Sequence, residues 1–332
     1  MTTFKGFMRS TNASLNRLER AHNRRVREAA KEFKLQQKQQ ELENATKAVQ
    51  DYDEYVSVLK SVHKDVGDTI DWAQINGEPK PQEPQLTHEK ENEAKKKLEH
   101  YRPSFIDKLF ALSNGKIKRL QQKITLAVQE DQQHYKASLQ KHQGDLKEWE
   151  ELQIMSKGIM AKDVVCYRQA IEYFNPFSDI KELGSKLELG FEKEYVLVDL
   201  YINGDDIVPK YVLSQTTTGK LSKKNMPVTK FNELYQDYVC SCILRVGRET
   251  LSCLPIKYVI VTALGNLLNT TTGKMEDRAV LSVAFYPETL ERINFESIDP
   301  SDSMKNFVHN MKFSKTNGFS PVNKVQATNL LS

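Results

Sequence analysis

No stretch of this sequence approaches the run of about 18 consecutive apolar residues that a membrane-spanning helix requires. The opening, Met1 to Ser10, carries no apolar run of signal-peptide length. Cysteine is scarce, and Cys166, Cys240, Cys242 and Cys253 show neither zinc-type paired spacing nor a disulfide framework. These absences lead to the expectation of a cytoplasmic protein whose cysteines serve as small buried hydrophobes. Glycine is scarce in one half: five of the 14 lie before residue 158 and nine from Gly158 onward. A glycine-poor stretch rich in Lys, Glu, Gln and Leu is the composition of long helices, whereas the second half has the turn residues of a packed domain. The expected class is therefore α+β: a long antiparallel, coiled-coil-like helical arm over 1–157, a compact domain over 158–325, and a tail over 326–332.

In the arm, Leu42, Ala45, Val49, Tyr52, Val56, Leu59, Val62, Val66 and Ile70 recur at steps of three and four, the spacing of a helix that packs one stripe against a partner. Leu15, Leu18, His22, Val26, Ala29 and Phe33 continue a looser version upstream, so the sequence predicts a helix over 11–72. A second stripe runs Ile117, Leu120, Ile124, Ala127, Tyr135, Leu139, His142, Leu146, Trp149 and Leu152, with Asp131 standing where an apolar residue is expected. Between the stripes, Pro79, Pro81 and Pro84 remove donors and disfavour helix before them. The expected arrangement is an antiparallel hairpin with its tip near 73–87 and an apolar interruption at 104–112. Dimerisation through the same stripes is the alternative.

Two parts of the arm are candidate binding surfaces. Residues 1–40 hold ten Lys/Arg against three Glu, so the basic excess of the chain sits at this end. Arg17, Arg20, Arg24, Arg27, Lys31, Lys34 and Lys38 alternate steps of three and four on the face opposite the looser apolar stripe. Such a ladder can track phosphates of a nucleic acid or an acidic partner surface, and equally suits the solvated face of a coiled coil. The second part follows Pro103: Phe105, Ile106, Leu109 and Phe110 are dense in large apolar groups, and suit either docking of a partner or folding back onto the chain.

In the compact domain, Lys186–Phe191 and Tyr195–Ile202 read as an antiparallel strand pair, and Tyr258–Ala263 and Ala279–Tyr286 as two further strands. Between them, 230–253 reads as a long helix. Its buried side runs through Phe231, Leu234, Tyr238 and Cys242, and its polar side through Asp237, Ser241, Arg245, Arg248 and Ser252. The pattern predicts a mostly antiparallel sheet packed on one long helix. Leu234-Tyr-Gln-Asp-Tyr-Val-Cys-Ser-Cys, Asp299-Pro-Ser-Asp-Ser-Met-Lys-Asn-Phe and Gly318-Phe-Ser-Pro-Val resemble segments of a family of uncharacterised bacterial proteins that pair a charged helical N-terminus with a C-terminal domain of this kind. The resemblance implies no assigned activity and no catalytic residues, although related domains are sometimes labelled restriction-endonuclease-like.

Thr216-Thr-Thr-Gly-Lys and Thr270-Thr-Thr-Gly-Lys look like phosphate loops and fail the test. Ser214 and Leu268 stand where the first glycine belongs, and Leu221 and Met275 follow the lysines in place of Ser or Thr. Both read as turns. A metal-dependent nuclease needs converging carboxylates at strand ends; Glu194, Asp199 and Asp206 are the candidates, although alternation turns Glu194 and Asp199 to opposite faces. Arg245 and Arg248 are candidates for a phosphate clamp. His309 is the only histidine after residue 142 and sits in an expected loop and helix start. The leading expectation is a non-enzymatic cytoplasmic interaction protein that needs no cofactor. Its arm associates with itself or with a protein partner, and its basic stripe makes non-specific nucleic-acid contacts. The alternative is a metal-dependent nuclease or nucleic-acid-processing component, and a divalent metal enters only there.

Overall fold

The computed structural model describes residues 40–104, 113–177 and 186–330. The basic ladder Arg17–Lys38 and the apolar group Phe105, Ile106, Leu109 and Phe110 lie outside the described residues. Two compact units are present. Among the described residues, one joins residues 40–68 to Pro176–Ser252 and to the chain from Ile256 onward; the other is Thr69–Asn175 with Cys253–Pro255. Residues 40–68, read above as the first limb of an arm, therefore group with the sheet. Helix α1 covers 40–61, a 3-10 turn follows at Val62–Lys64, and the expected continuous helix to residue 72 ends there.

The helical unit is built on one long helix. Its elements are α2 (Trp72–Gly77), α3 (Glu89–Glu99), α4 (Ser113–Met160) and α5 (Val164–Phe174). At 48 residues, α4 is about 72 Å long. Its covered face follows the predicted stripe, from Ile117 through Ala127 and Tyr135 to Trp149. Gln153 donates to the Ile75 carbonyl at 2.6 Å, Trp149 to that of Glu78 at 3.0 Å, and Lys90 to Glu130 at 2.9 Å. The chain from 75 to 90 thus runs antiparallel along α4, and the prolines between form an extended cover rather than a tip. Proline disfavours helix and equally favours extended backbone, which spans the roughly 35 Å from residue 153 to 130 of α4. The reversal expected near 73–87 is not found there, since the chain keeps one direction along α4 from Ile75 to Lys90.

Asp131, the polar interruption of the stripe, is 7% exposed. Its carboxylate accepts from the Lys90 and Glu91 amides at 3.3 and 3.0 Å. Those amides belong to the first turn of α3, whose own N-cap residue, His88, makes no side-chain cap. Asp131 supplies that cap from another helix. At the far end, α4 passes through Gly158 without breaking, and glycine there leaves room for Cys166, whose Sγ a side chain would meet at 2.1 Å. Trp72 closes this end, edge-to-face with Phe174 at 5.8 Å.

In the sheet unit the strands are β1 (Lys186–Phe191), β2 (Tyr195–Tyr201), β3 (Tyr211–Gln215), β4 (Leu221–Asn225), β5 (Tyr258–Asn269), β6 (Lys274–Phe285), β7 (Val308–Ser314) and β8 (Gly318–Ser320). Six of them form one sheet in the order β1-β2-β5-β6-β7-β8, and β3-β4 is a separate ribbon. Only β2 and β5 pair in parallel, with Val196 opposite Val259 and Val198 opposite Val261. The connection between them contains helix α6 (Val228–Cys253), the crossover that a parallel pair requires. Gly247 lets α6 approach β6, since a Cβ there would sit 2.4 Å from the Phe285 ring. Short helices α7 (Pro287–Leu290) and α8 (Pro300–Ser303) follow β6.

Both Thr-Thr-Thr-Gly-Lys segments are turns, with Gly219 at φ +80° between β3 and β4 and Gly273 at φ +68° between β5 and β6. The expected tail is part of the packing: Val325 joins Tyr258, Ile260 and Ala284 in one apolar cluster, against which Ala327 and Leu330 also pack.

Replacing Asp131 with Ala should remove the α3 cap and lower unfolding stability by about 1 kcal/mol, with Asp131→Asn recovering part of the loss. Urea denaturation followed by helical circular dichroism measures it; an Ala variant as stable as wild type would mean that Asp131 caps nothing.

Candidate functional site

The polar side of α6 carries a cluster of charged groups that the fold buries. The helix is buried almost all round from Asp237 to Thr250, because the sheet covers one side and residues 60–67 cover the other. Buried polar groups must find partners, and here they find them on that strap. Lys60 pairs with Asp237 at 3.0 Å. The Ser241 hydroxyl accepts from the His63 amide at 3.0 Å and lies 3.2 Å from the Lys60 carbonyl. His63, 1% exposed, places Nδ1 2.8 Å from Ser241 Oγ and Nε2 3.1 Å from the Phe295 carbonyl. A carbonyl only accepts, so the proton of the neutral ring is on Nε2.

The next turn of α6 continues the clasp. Arg248 donates to the His63 carbonyl, and its guanidinium lies 3.8 Å over the Phe295 ring. Arg245 pairs with Glu249 at 2.9 Å and with Asp65 at 3.4 Å, and donates to the Val62 carbonyl at 3.4 Å. Glu249 in turn accepts from the Gly67 amide at 3.1 Å. Burial pushes the Asp237 and Glu249 carboxyls up, against the pull of Lys60 on the first and of the Gly67 amide and Arg245 on the second. Burial also pushes His63 down, and the neighbouring cations Lys64 and Arg248 add to it. The two arginines of the expected phosphate clamp are thus engaged with backbone carbonyls, carboxylates and a ring.

Beside the clasp, α1 and the segment 206–213 enclose a cleft of about 700 Å³. Tyr52, Tyr55 and Tyr211 wall it, and Asp51, Asp206 and Lys210 supply its charges. Tyr52 and Tyr55 share a side of α1 because they stand three residues apart. Tyr55 donates to the Ile207 carbonyl at 2.7 Å, and the Tyr52 and Tyr211 rings are 6.1 Å apart. Burial raises both phenols, with Asp53 adding to the rise at Tyr52 and Asp206 at Tyr55. Tyr211 already carries a cation in the chain itself, Lys223 Nζ at 3.9 Å over its ring.

The three candidate nuclease carboxylates are not brought together. Glu194 precedes β2 and pairs with Lys257 at 3.1 Å. Asp199, on β2, is held by Lys324 at 2.6 and 2.8 Å. Asp206 lies in the 3-10 turn Asp205–Ile207 by the cleft. Among the described residues no group of three or more His, Cys, Asp or Glu is placed to hold a metal ion. His309 lies on β7, not in a loop, with Nδ1 3.0 Å from the Phe307 carbonyl. Nearby Asp299 caps α8 through the Ser301 and Asp302 amides. Cys240 and Cys242 are buried free thiols; burial takes Cys242 to about 12. The cleft escaped sequence reading because Tyr211 joins Tyr52 and Tyr55 only through the fold.

Comparison with protein families, with curated proteins and with solved structures returns no match for this chain.

The clasp should be sensitive to acid through His63. In the unfolded chain this residue takes up a proton near 6.5, the ordinary value from which burial lowers it. Stability from the neutral ring is therefore complete above about pH 6.5 and is lost as pH falls toward the lowered folded value. Asp237 and Glu249, raised by burial, act in the opposite sense and are common to wild type and a His63→Gln variant. The melting-temperature advantage of wild type over this variant should shrink from pH 8 to pH 5; a constant difference would remove His63 from the linkage.

Proposed function

We propose that this is a non-enzymatic interaction protein of the cytoplasm. Its sheet unit recognises a partner through the tyrosine-walled cleft, and its helical elements serve self-association or partner binding. The observation that carries the reading is the cleft itself. Tyrosine presents a large apolar face with a polar tip, which is why it is enriched where proteins meet. Here three tyrosines and two carboxylates are fixed on a helix, a 3-10 turn and a ribbon that pack against each other. The charged groups that a catalytic reading would recruit have structural partners instead: Arg245 and Arg248 in the clasp, Asp199 on Lys324, Glu194 on Lys257. Support on the helical side comes from α4, whose Leu126 and Ile154 side chains stand exposed, as apolar positions available to a partner. No helix among the described residues is long and apolar enough to cross a membrane. Non-specific nucleic-acid contact through Arg17–Lys38 is part of the proposal, on the strength of the ladder's spacing.

The test sets interaction against catalysis. The full chain should leave single- and double-stranded DNA and RNA intact in Mg²⁺ or Mn²⁺. Any nucleic-acid binding should weaken steeply with salt. Metal-dependent cleavage that is lost in a folded Glu194→Gln/Asp199→Asn/Asp206→Asn variant would overturn the reading in favour of a nuclease.

A further inference from the structure

We propose that the tyrosine-walled cleft receives the basic segment Arg17–Lys38 of a second copy of this chain, in an antiparallel pairing of the two α1 regions. This deepens the reading of the protein as an interaction protein and rests on it.

The argument begins with charge. Residues 41–54 carry Glu41, Glu43, Asp51, Asp53 and Glu54 against Lys47 alone, and directly upstream stands the ladder of seven cations from Arg17 to Lys38. A segment that is basic in its first half and acidic in its second is complementary to itself when two copies run in opposite directions. The apolar stripe of α1 is not free for such a pairing. Ala45 and Leu59 are buried, Gln215 reaches Thr46 at 2.6 Å, and Leu42 sits against Gly219 of the β3–β4 turn. What α1 leaves exposed is the acidic side, with Asp51, Asp53, Glu54 and Tyr55. A partner on that side meets charge and tyrosine rather than a packed seam.

The cleft has the chemistry that an arginine requires. A guanidinium stacks on an aromatic face and pairs with a carboxylate through its planar fork. Tyr52 and Tyr55 offer the faces, and Asp51 and Asp206 offer the carboxylates. Tyr211 engages Lys223 in the same manner within the chain. The ladder of the same copy ends at Lys38, just before α1 is described from residue 40, whereas Tyr52 lies 12 residues, about 18 Å, further along that helix. A second copy has no such restriction. Pairing about the junction at 39–40 sets Arg27 level with Tyr52, and Arg24 level with Tyr55.

Sedimentation velocity on the full chain tests this with a charge swap. One variant is Asp51→Lys/Asp206→Lys and the other Arg24→Glu/Arg27→Glu, both checked for folding by circular dichroism and melting. Wild type should dimerise, with a dissociation constant that rises about tenfold or more between about 50 and about 500 mM NaCl. Each variant alone should be monomeric, and an equimolar mixture should restore the dimer, since each ladder then faces a cleft of opposite sign. A monomeric wild type overturns the inference. So does dimerisation of either variant as tightly as wild type, which would place association elsewhere and leave the interaction reading standing. That reading falls on a separate result, metal-dependent cleavage.

Discussion

A buried charge must be paired, and the polar side of α6 makes this the governing constraint of the sheet unit. Asp237, Ser241, Arg245, Arg248 and Glu249 lie on a helix whose opposite side packs into the sheet at Gly247 and Phe285. Left uncovered, that side would be a solvated surface. Covered by an apolar segment, it would hold uncompensated charges at a cost of several kcal/mol each. The strap 60–67 meets the demand with carbonyls, two amides, an imidazole and two opposite charges. Once the strap is seated the rest follows, because α1 ends where the strap begins and its direction is set by it. The stripe from Leu42 to Tyr52 then lies along the β3–β4 ribbon, where Tyr52 comes to face Tyr211 and Tyr55 the Ile207 carbonyl. The cleft is in this sense a product of the clasp, although none of the clasp side chains lines it.

The polar side of α6 was legible in the sequence as a line of residues at helical spacing. What covers it was not, since the covering strap lies some 180 residues earlier in the chain. Local periodicity carried the stripe of α4 in the same way, down to the odd residue at Asp131, because 3.6-residue geometry is set by the backbone alone. It did not carry the partner. Apolar steps of three and four suit another helix or a strand ribbon equally well, and from Leu42 to Tyr52 the ribbon is what they meet. The prolines at 79, 81 and 84 stop helix and so suggest a turn, yet the same fixed φ supports an extended run along α4. β7 was missed for a different reason. Its inward positions are His309, Met311 and Phe313, and its outward ones Val308, Asn310 and Lys312, so polar and apolar residues occur on both sides and the alternation is blurred.

Helix α3 shows how one long helix organises its unit. Its eleven residues include none that is buried, and a helix of that length without an apolar face is marginal by itself. Its first-turn amides are satisfied only by a carboxylate some forty residues downstream. Segment 89–99 therefore depends on α4 for its helical state. The dependence is concentrated in one side chain: α4 is the template, α3 the helix laid along it, and Asp131 the point at which the two are joined.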